Sequence, residues 1–284
     1  FAFVLSVAFS LSLESALGLM LMGSCPGGGL SNIFSVLLDG DLSLSITMTF
    51  ISSVLALGMM SLNLFIYSHY WVAGGHSFPV PYIQIMVSLA LLCIPVAIGM
   101  ITRSRKPEWA KKGVALIRPI GLLLILLALT TGVYSNLYLA DQWTLTIVLA
   151  SVLLPILGFI LGATLARVFR RDFQKTVTIS LETGIQNSAL ATGLIKMVYE
   201  QPDSDLLAVV PLTSAMGQFF LGIMAYVVYL LSKVTKRRNA EQKDKEQVTV
   251  ITDEYTDSFQ MSDGEDTSPK HISPPLSPDI TYVI

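Results

Sequence analysis

The stretch LETGIQNSALATG, residues 181–193, puts polar side chains inside what otherwise reads as a membrane-crossing segment. The basic RVFRRDFQK (167–175) precedes it and the acidic EQPDSD (200–205) follows it, as the two ends of a span would. Glu182 and Gln186 are four residues apart and share a face of any helix that runs through both. An ionisable side chain at mid-membrane costs about 2.5–3.5 kcal/mol on insertion scales, so Glu182 has to face protein, water or an ion. A competing reading leaves it in the headgroup zone, a turn or two beyond Lys175. Against that stand Gln186 on the same face and the small residues Gly184, Ser188, Ala189 and Ala191, which allow close backbone approach.

Working outward, the rest of the chain has the same character. Of its 284 residues 52% are hydrophobic and only 13% charged, with mean hydropathy +0.64, whereas an ordinary soluble domain is about 25% charged. The apolar residues fall in runs of about 20, the length that crosses a hydrocarbon core. Eight spans are predicted: about 1–10, 12–38, 42–69, 80–102, 113–136, 143–166, 175–199 and 206–232. The first, FAFVLSVAFS, starts at Phe1 without a charged leader, so it reads as the second half of a segment under way, with further helices expected before it. The net charge of −2 points to no partner. Cys25 and Cys93 lie in apolar stretches and suggest neither a disulfide framework nor a metal site.

Lys and Arg gather in alternate loops. Arg103, Arg105, Lys106, Lys111 and Lys112 follow the fourth span, Arg167, Arg170, Arg171 and Lys175 the sixth, and Lys233, Lys236, Arg237 and Arg238 the eighth. The loops between carry none, which predicts that the basic loops and the carboxyl terminus are cytoplasmic. Residues 1–234 therefore read as one transmembrane unit. From 235 the chain turns to KRRNAEQKDKEQ and then to Ser, Pro and acid, and 235–284 reads as a disordered cytoplasmic tail. Its Ser-Pro pairs allow phosphorylation, although a plain solubilising tail explains them as well.

The second span is also interrupted. In CPGGGLSN (25–32), Pro26 lacks a backbone donor and Gly27, Gly28 and Gly29 hold a helix poorly. A simple turn between two spans is the bland alternative, but the 12–38 segment makes a single crossing only if the break lies within it. Freed backbone groups at membrane depth are tolerated where they line a cavity or are buried in protein. The third span adds Ser45 and Thr49 on one face, with Ser43 and Thr47 on another. Any one of these hydroxyls taken alone is best read as bonding the carbonyl four residues back. Taken together, Ser31, Asn32, Ser45, Thr49 and Glu182 are hard oxygen donors without thiolate or imidazole, a set suited to a hard cation. A single carboxylate suits a monovalent ion better than calcium.

GSCPGGGLSNIFSVLLDGDLSLSITMTFISSVLALGMMSLNLFIYSHYWV, followed by ETGIQNSALAT, resembles the sodium–bile acid symporter family over about residues 1–232. Three motifs carry the resemblance, P-G-G-x-x-S-N at 26–32, D-G-D-x-x-L-S at 39–45 and E-T-G-x-Q-N at 182–187, in this order. It implies an all-α polytopic fold of ten helices in two inverted five-helix repeats, with a panel domain, a core domain and two broken helices that cross. Pro26, Gly27, Gly28 and Gly29 would be the hinge of the first break. One implied sodium site comprises Ser31, Asn32, Ser45, Thr49 and Glu182. The other comprises Glu182, Thr183 and Ile185 through their backbones, and Gln186. Asn187 falls at the crossing, near the substrate cavity. By the same resemblance the family's first helices, with a glutamine that completes the second site, would precede Phe1.

The resemblance implies sodium-coupled symport of an amphipathic organic anion, such as a bile salt or steroid sulfate, by alternating access at the plasma membrane. It implies Na+ as coupling ion, no other cofactor and no enzymatic step; no nucleotide-binding loop and no basic tract for nucleic acid are present. An alternative is a non-transporting receptor or scaffold that keeps the fold. A heptahelical receptor fits poorly, since PGGG interrupts a span at mid-membrane. The terminal TYVI, with Tyr282 and Ile284 at alternate positions before a free carboxylate, fits addition as a strand to a PDZ-type partner.

Overall fold

The computed structural model describes residues 1–72, 82–109 and 137–262, together with scattered positions between 110 and 136. All of its regular elements there are helical. α1 (Ala2–Ala8) packs on α2 (Leu13–Ser24), which is followed by α3 (Gly29–Leu37), α4 (Leu42–Val72) and α5 (Tyr82–Arg105). A 3₁₀ turn, Leu137–Gln142, leads to α6 (Leu145–Val168), α7 (Phe173–Gly184), α8 (Ser188–Val198) and α9 (Asp203–Ser262). The predicted fifth span, 113–136, lies for the most part outside the described residues.

Helix starts follow from local chemistry. Ser12, Asp41, Thr144, Asp172 and Asn187 each accept a backbone N–H from the following first turn, and so occupy a donor that has no partner within the helix. Three helix ends close in the same way. Ser10, Asp39 and Arg170 take left-handed conformations with φ of 47°, 52° and 52°. The next residue then donates to a carbonyl five positions back: Leu11 to Ser6, Gly40 to Ser35 and Arg171 to Ala166.

Four described helices are long and apolar enough to cross a bilayer: α4 over Leu42–Tyr67, α5 over Ile83–Arg105, α6, and α9 within Asp203–Thr249. Their outer faces carry exposed apolar side chains, among them Ile51, Leu55, Ile83, Leu91, Ile98, Ile160 and Phe220, which suits contact with lipid. α2 behaves differently. Ser15 through Met22 are all buried, so no face of it looks outward, as expected of a helix that is apolar all round. It lies in a core with Met60 of α4, Leu89 of α5, Ile195 of α8 and Leu207 of α9. The two interrupted spans each become a pair of short helices, α2 with α3 and α7 with α8; the first break is the one read at CPGGG, whereas the second, implied by the resemblance alone, ends α7 at Gly184 and takes Gln186 off the helix that carries Glu182.

The chain divides into a compact unit, Phe1–Tyr229, and a second unit from Leu230 onward. Here the sequence reading needs correction. Disorder is expected from 235, but α9 runs on as helix to Ser262. Residues 230–249 are exposed throughout, so no core holds this extension. Its Ala, Glu, Gln and Lys content is strongly helix-forming, and Gln242 donates to Glu246 four residues on at 3.2 Å. Low apolar content argues against a core, but it does not argue against a helix. Residues 263–284, with the Ser-Pro pairs and TYVI, lie outside the described residues.

Candidate functional site

α2 ends because Pro26 disfavours helical geometry in the residue before it, and Cys25 is extended. α7 ends at Gly184, with Ile185 extended. The two extended segments meet as an antiparallel bridge, Gly27 opposite Gln186. Gly28 N–H donates to the Ile185 carbonyl at 3.1 Å, and Asn187 N–H donates to the Pro26 carbonyl at 3.0 Å. One N–H and one carbonyl released by each break are thereby satisfied by the other. Gly28 has a steric reason as well: a Cβ there would stand 3.1 Å from the Gln186 carbonyl oxygen and 3.2 Å from Asn187 Cα.

Glu182 ends up at the centre of this crossing, 6% exposed. Its Oε2 accepts from Ser31 Oγ at 2.6 Å and from Ser45 Oγ at 3.1 Å, and its Oε1 accepts from Thr49 Oγ1 at 2.5 Å. Ser31 comes from α3, Ser45 and Thr49 from α4, and the carboxylate from α7. Asn32 Nδ2 donates to Thr49 Oγ1 at 3.3 Å. The five residues singled out in the sequence therefore come together around one carboxylate, although Glu182 lies 133 to 151 positions from the hydroxyls that meet it. Ser43 does not join them; its carbonyl takes the Thr47 hydroxyl at 2.8 Å, the back-bond expected on that face. Thr49 also back-bonds, to Ser45 O at 3.0 Å.

The second set is brought together only in part. Glu182, Thr183 and Gln186 line a cavity of about 370 Å³ together with Gly23, Pro26, Gly27, Ser52 and Gly158. The Thr183 hydroxyl is turned away, to Ile179 O at 2.7 Å, and Ile185 is fully buried with its carbonyl on Gly28. Asn187 caps α8 through its side chain, accepting Leu190 N–H at 3.0 Å.

Two buried oxygens bear on what the crossing can hold. Asn32 Oδ1 and Gln186 Oε1 have no hydrogen-bond partner, although buried polar atoms are paired in the great majority of cases. One belongs to each candidate set. Among the described residues the partners of the Glu182 carboxylate are neutral hydroxyls, and no Lys or Arg pairs with it. A buried carboxylate without a cation, beside unpaired carbonyl oxygens, is a donor set suited to a small hard cation. No group of three His, Cys, Asp or Glu able to hold a metal occurs among the described residues.

The sodium bile acid symporter family matches over residues 1–143, and an ileal sodium/bile acid cotransporter of Cricetulus griseus is 38% identical over 253 residues, covering 86% of this chain and 70% of that protein. The chain belongs to the sodium bile acid symporter family. This is a family of transporters, not enzymes. The chain is also 33% identical over 277 residues to the human hepatic sodium/bile acid cotransporter, covering 94% of this chain and 78% of that one. With a sodium-dependent organic anion transporter of Rattus norvegicus it shares 33% over 243 residues, 85% of this chain and 64% of that one.

Three further sets of contacts support the crossing and the helices around it. Gly158 and Gly162 of α6 form a small-xxx-small pair, against which α7 lies so closely that a Cβ at Gly158 would stand 2.6 Å from Thr183 O and 2.9 Å from Gly184 Cα. That spacing is readable in LGFILGA and could have been found. The D-G-D motif acts through turn chemistry: Asp39 ends α3, Asp41 caps α4, and Asp41 N–H donates to Thr178 Oγ1 of α7 at 2.8 Å, one turn from Glu182. Asp39 also receives the Tyr229 hydroxyl of α9. At the opposite end Lys196 of α8 pairs with Asp205 of α9, and Tyr138 OH donates to the same carboxylate at 3.0 Å. No local pattern marks the Asp39–Tyr229 and Tyr138–Asp205 contacts in the sequence.

Proposed function

We propose that this protein carries an amphipathic organic anion, of the bile-salt or steroid-sulfate class, into the cell together with sodium by alternating access. The observation that carries the reading is the convergence of three hydroxyls from two helices on the Glu182 carboxylate across the paired breaks. The relatives named above are sodium-coupled transporters of bile acids or organic anions by name, which supports the same substrate class here.

In this reading Ser31, Asn32, Ser45, Thr49 and Glu182 take one sodium ion. Glu182, the Thr183 and Ile185 carbonyls and Gln186 take a second, beside the 370 Å³ cavity. The hydroxyls are arranged to switch. Ser31 Oγ lies 2.6 Å from Glu182 Oε2 and 2.7 Å from Gly28 O. Thr49 Oγ1 lies 2.5 Å from Glu182 Oε1 and 3.0 Å from Ser45 O. Each hydroxyl has one hydrogen and two acceptors. Without an ion the hydrogen serves the carboxylate. With an ion against the carboxylate it turns to the backbone carbonyl, and the oxygen lone pairs face the cation. Sodium thus ties α3, α4 and α7 together through a charge that would otherwise be costly at this depth, and so orders the crossing beside which Asn187 faces the substrate. The local two-fold pattern of the bridge, 28 to 185 and 187 to 26, favours two inverted repeats. The basic residues after α5, α6 and the span of α9 favour an orientation with a cytoplasmic carboxyl terminus. No observation favours the receptor or scaffold alternative.

The test is Glu182→Gln in the full-length protein. Sodium-dependent uptake of a labelled bile salt and of a steroid sulfate is expected to fall by at least about tenfold, one lost charge-assisted interaction, with surface abundance unchanged. Uptake whose sodium activation matches the parent would remove Glu182 from ion binding.

A further inference from the structure

The hydroxyl switch has one gap, and it is filled by a residue outside both ion sets. Ser31 and Thr49 each have a backbone carbonyl to receive their hydrogen when an ion takes the oxygen. Ser45 has none: its Oγ donates to Glu182 Oε2 at 3.1 Å and otherwise meets only Ser35 Oγ, at 3.2 Å. Ser35 is on α3, one turn beyond Ser31, and both Ser35 and Ser45 are fully buried. No solvent can take the Ser45 hydrogen there, and a buried donor without a partner loses its full hydration.

We propose that Ser35 is a positioning residue of the first sodium site, the acceptor that lets Ser45 turn its lone pairs to the ion. This rests on the reading of the crossing as a sodium site. In the ion-free arrangement the hydrogens run from Ser35 to Ser45 to Glu182. When sodium sits against Glu182, the Ser45 hydrogen points back to Ser35 Oγ. The Ser45 oxygen is then fixed by the ion, whereas Ser35 is free to change rotamer and turn its hydrogen to the carbonyl one turn behind it, the habitual acceptor of a helical serine. Two hydroxyls in series therefore reverse together, and the ion gains one ligand for one rotamer change at Ser35. A polar residue at 35 is otherwise out of place: its neighbours Phe34, Leu37 and Leu38 belong to an apolar cluster with Leu181 and Ile185.

The experiment is a sodium titration of the melting temperature of the purified full-length protein, with choline replacing sodium at constant ionic strength. No transported substrate is needed. Each variant is read against its own sodium-free value. Ser35→Ala is expected to raise the half-saturating sodium concentration about tenfold, the size of one buried hydrogen bond. Ser35→Thr, which keeps the hydroxyl, is expected to return it to within about threefold of the parent, and Ser35→Cys, similar in volume with a weak donor and acceptor, to fall between. A structural role alone would lower the sodium-free melting temperature and leave the half-saturating concentration in place. Coincident titrations for Ser35→Ala and parent would overturn the proposal, as would a shift that Ser35→Thr fails to reverse. Glu182→Gln separates the two levels. If it still titrates like the parent, the sodium site itself falls. If it loses the sodium response while Ser35→Ala keeps the parental one, only the role of Ser35 falls.

Discussion

Gly27→Ala is the substitution that most directly separates the fold from the site. A methyl at residue 27 would stand 3.0 Å from the Glu182 carboxyl carbon and closer still to Oε1. Non-bonded atoms pack best at about 3.5–4.0 Å, so the carboxyl group, and Oε1 above all, has to retreat by roughly 1 Å or more. Backbone is not in the way at this position, and the Gly27 N–H can keep its 3.3 Å bond to Ser52 Oγ. The chain therefore has room to fold around the alanine, and the displacement falls on the carboxylate. Of its three hydroxyl bonds, that from Ser45 is already 3.1 Å long and breaks, while those at 2.6 and 2.5 Å stretch. A hydrogen bond to a charged group contributes about 1.5–3 kcal/mol. Losing one and straining two disfavours the ion-binding arrangement by about 3 kcal/mol, on the order of a hundredfold in half-saturating sodium. The assay is uptake of a labelled bile salt against sodium concentration in cells with matched surface amounts of parent and variant. A sodium curve within about twofold of the parent at equal abundance would refute the reasoning, because the carboxylate would have moved without consequence.

Other substitutions probe the frame around it. Gly158→Ala presses on the backbone of α7 at Thr183 and Gly184, which cannot retreat as a side chain can. It is expected to cost about 1–3 kcal/mol by overpacking, read as a lower melting temperature and reduced surface amount, with Gly193→Ala, where a Cβ meets nothing within 4 Å, as the control. For the carboxyl terminus, an epitope placed after Asn239 is expected to need permeabilised cells; labelling of intact cells would reverse the topology. Deleting Tyr282 to Ile284 is expected to change membrane retention while leaving sodium affinity untouched, and a terminal peptide that recovers no PDZ protein would remove that partner.

The first break was legible because PGGG cannot continue as ordinary membrane helix, and Glu182 because lipid penalises a charge at that depth, so Ser31, Asn32, Ser45, Thr49 and Glu182 could be selected from the chain alone; the second break was not, since Glu-x-x-x-Gln is compatible with a continuous helix. Their meeting point was not legible from spacing: nothing local says that Gly27 lies opposite Gln186, far along the chain, and the family resemblance alone implied a crossing. Ser35 was missed for a related reason. A serine in an apolar run is usually satisfied by its own helix, and only the position of Ser45 shows that this one is not. The extension of α9 to Ser262 was misjudged because composition reports whether a segment can bury a core, while a helix of Glu, Lys, Gln and Ala needs only its own backbone.

The joint between the breaks consists of peptide groups alone, and this has a mechanical meaning. Parting the two extended segments would strand two N–H and two C=O groups in a medium that offers them no water, several kcal/mol for each. In the proposed cycle of access the segments therefore travel as one axle, with α2, α3, α7 and α8 turning on it together. Ions gripped partly by this axle would not be let go by pulling it apart. α4 is held to this axle by bonds that each use a side chain, Ser45 and Thr49 on the carboxylate and Ser52 on the Gly27 N–H, and in the proposed cycle these are the contacts that can part.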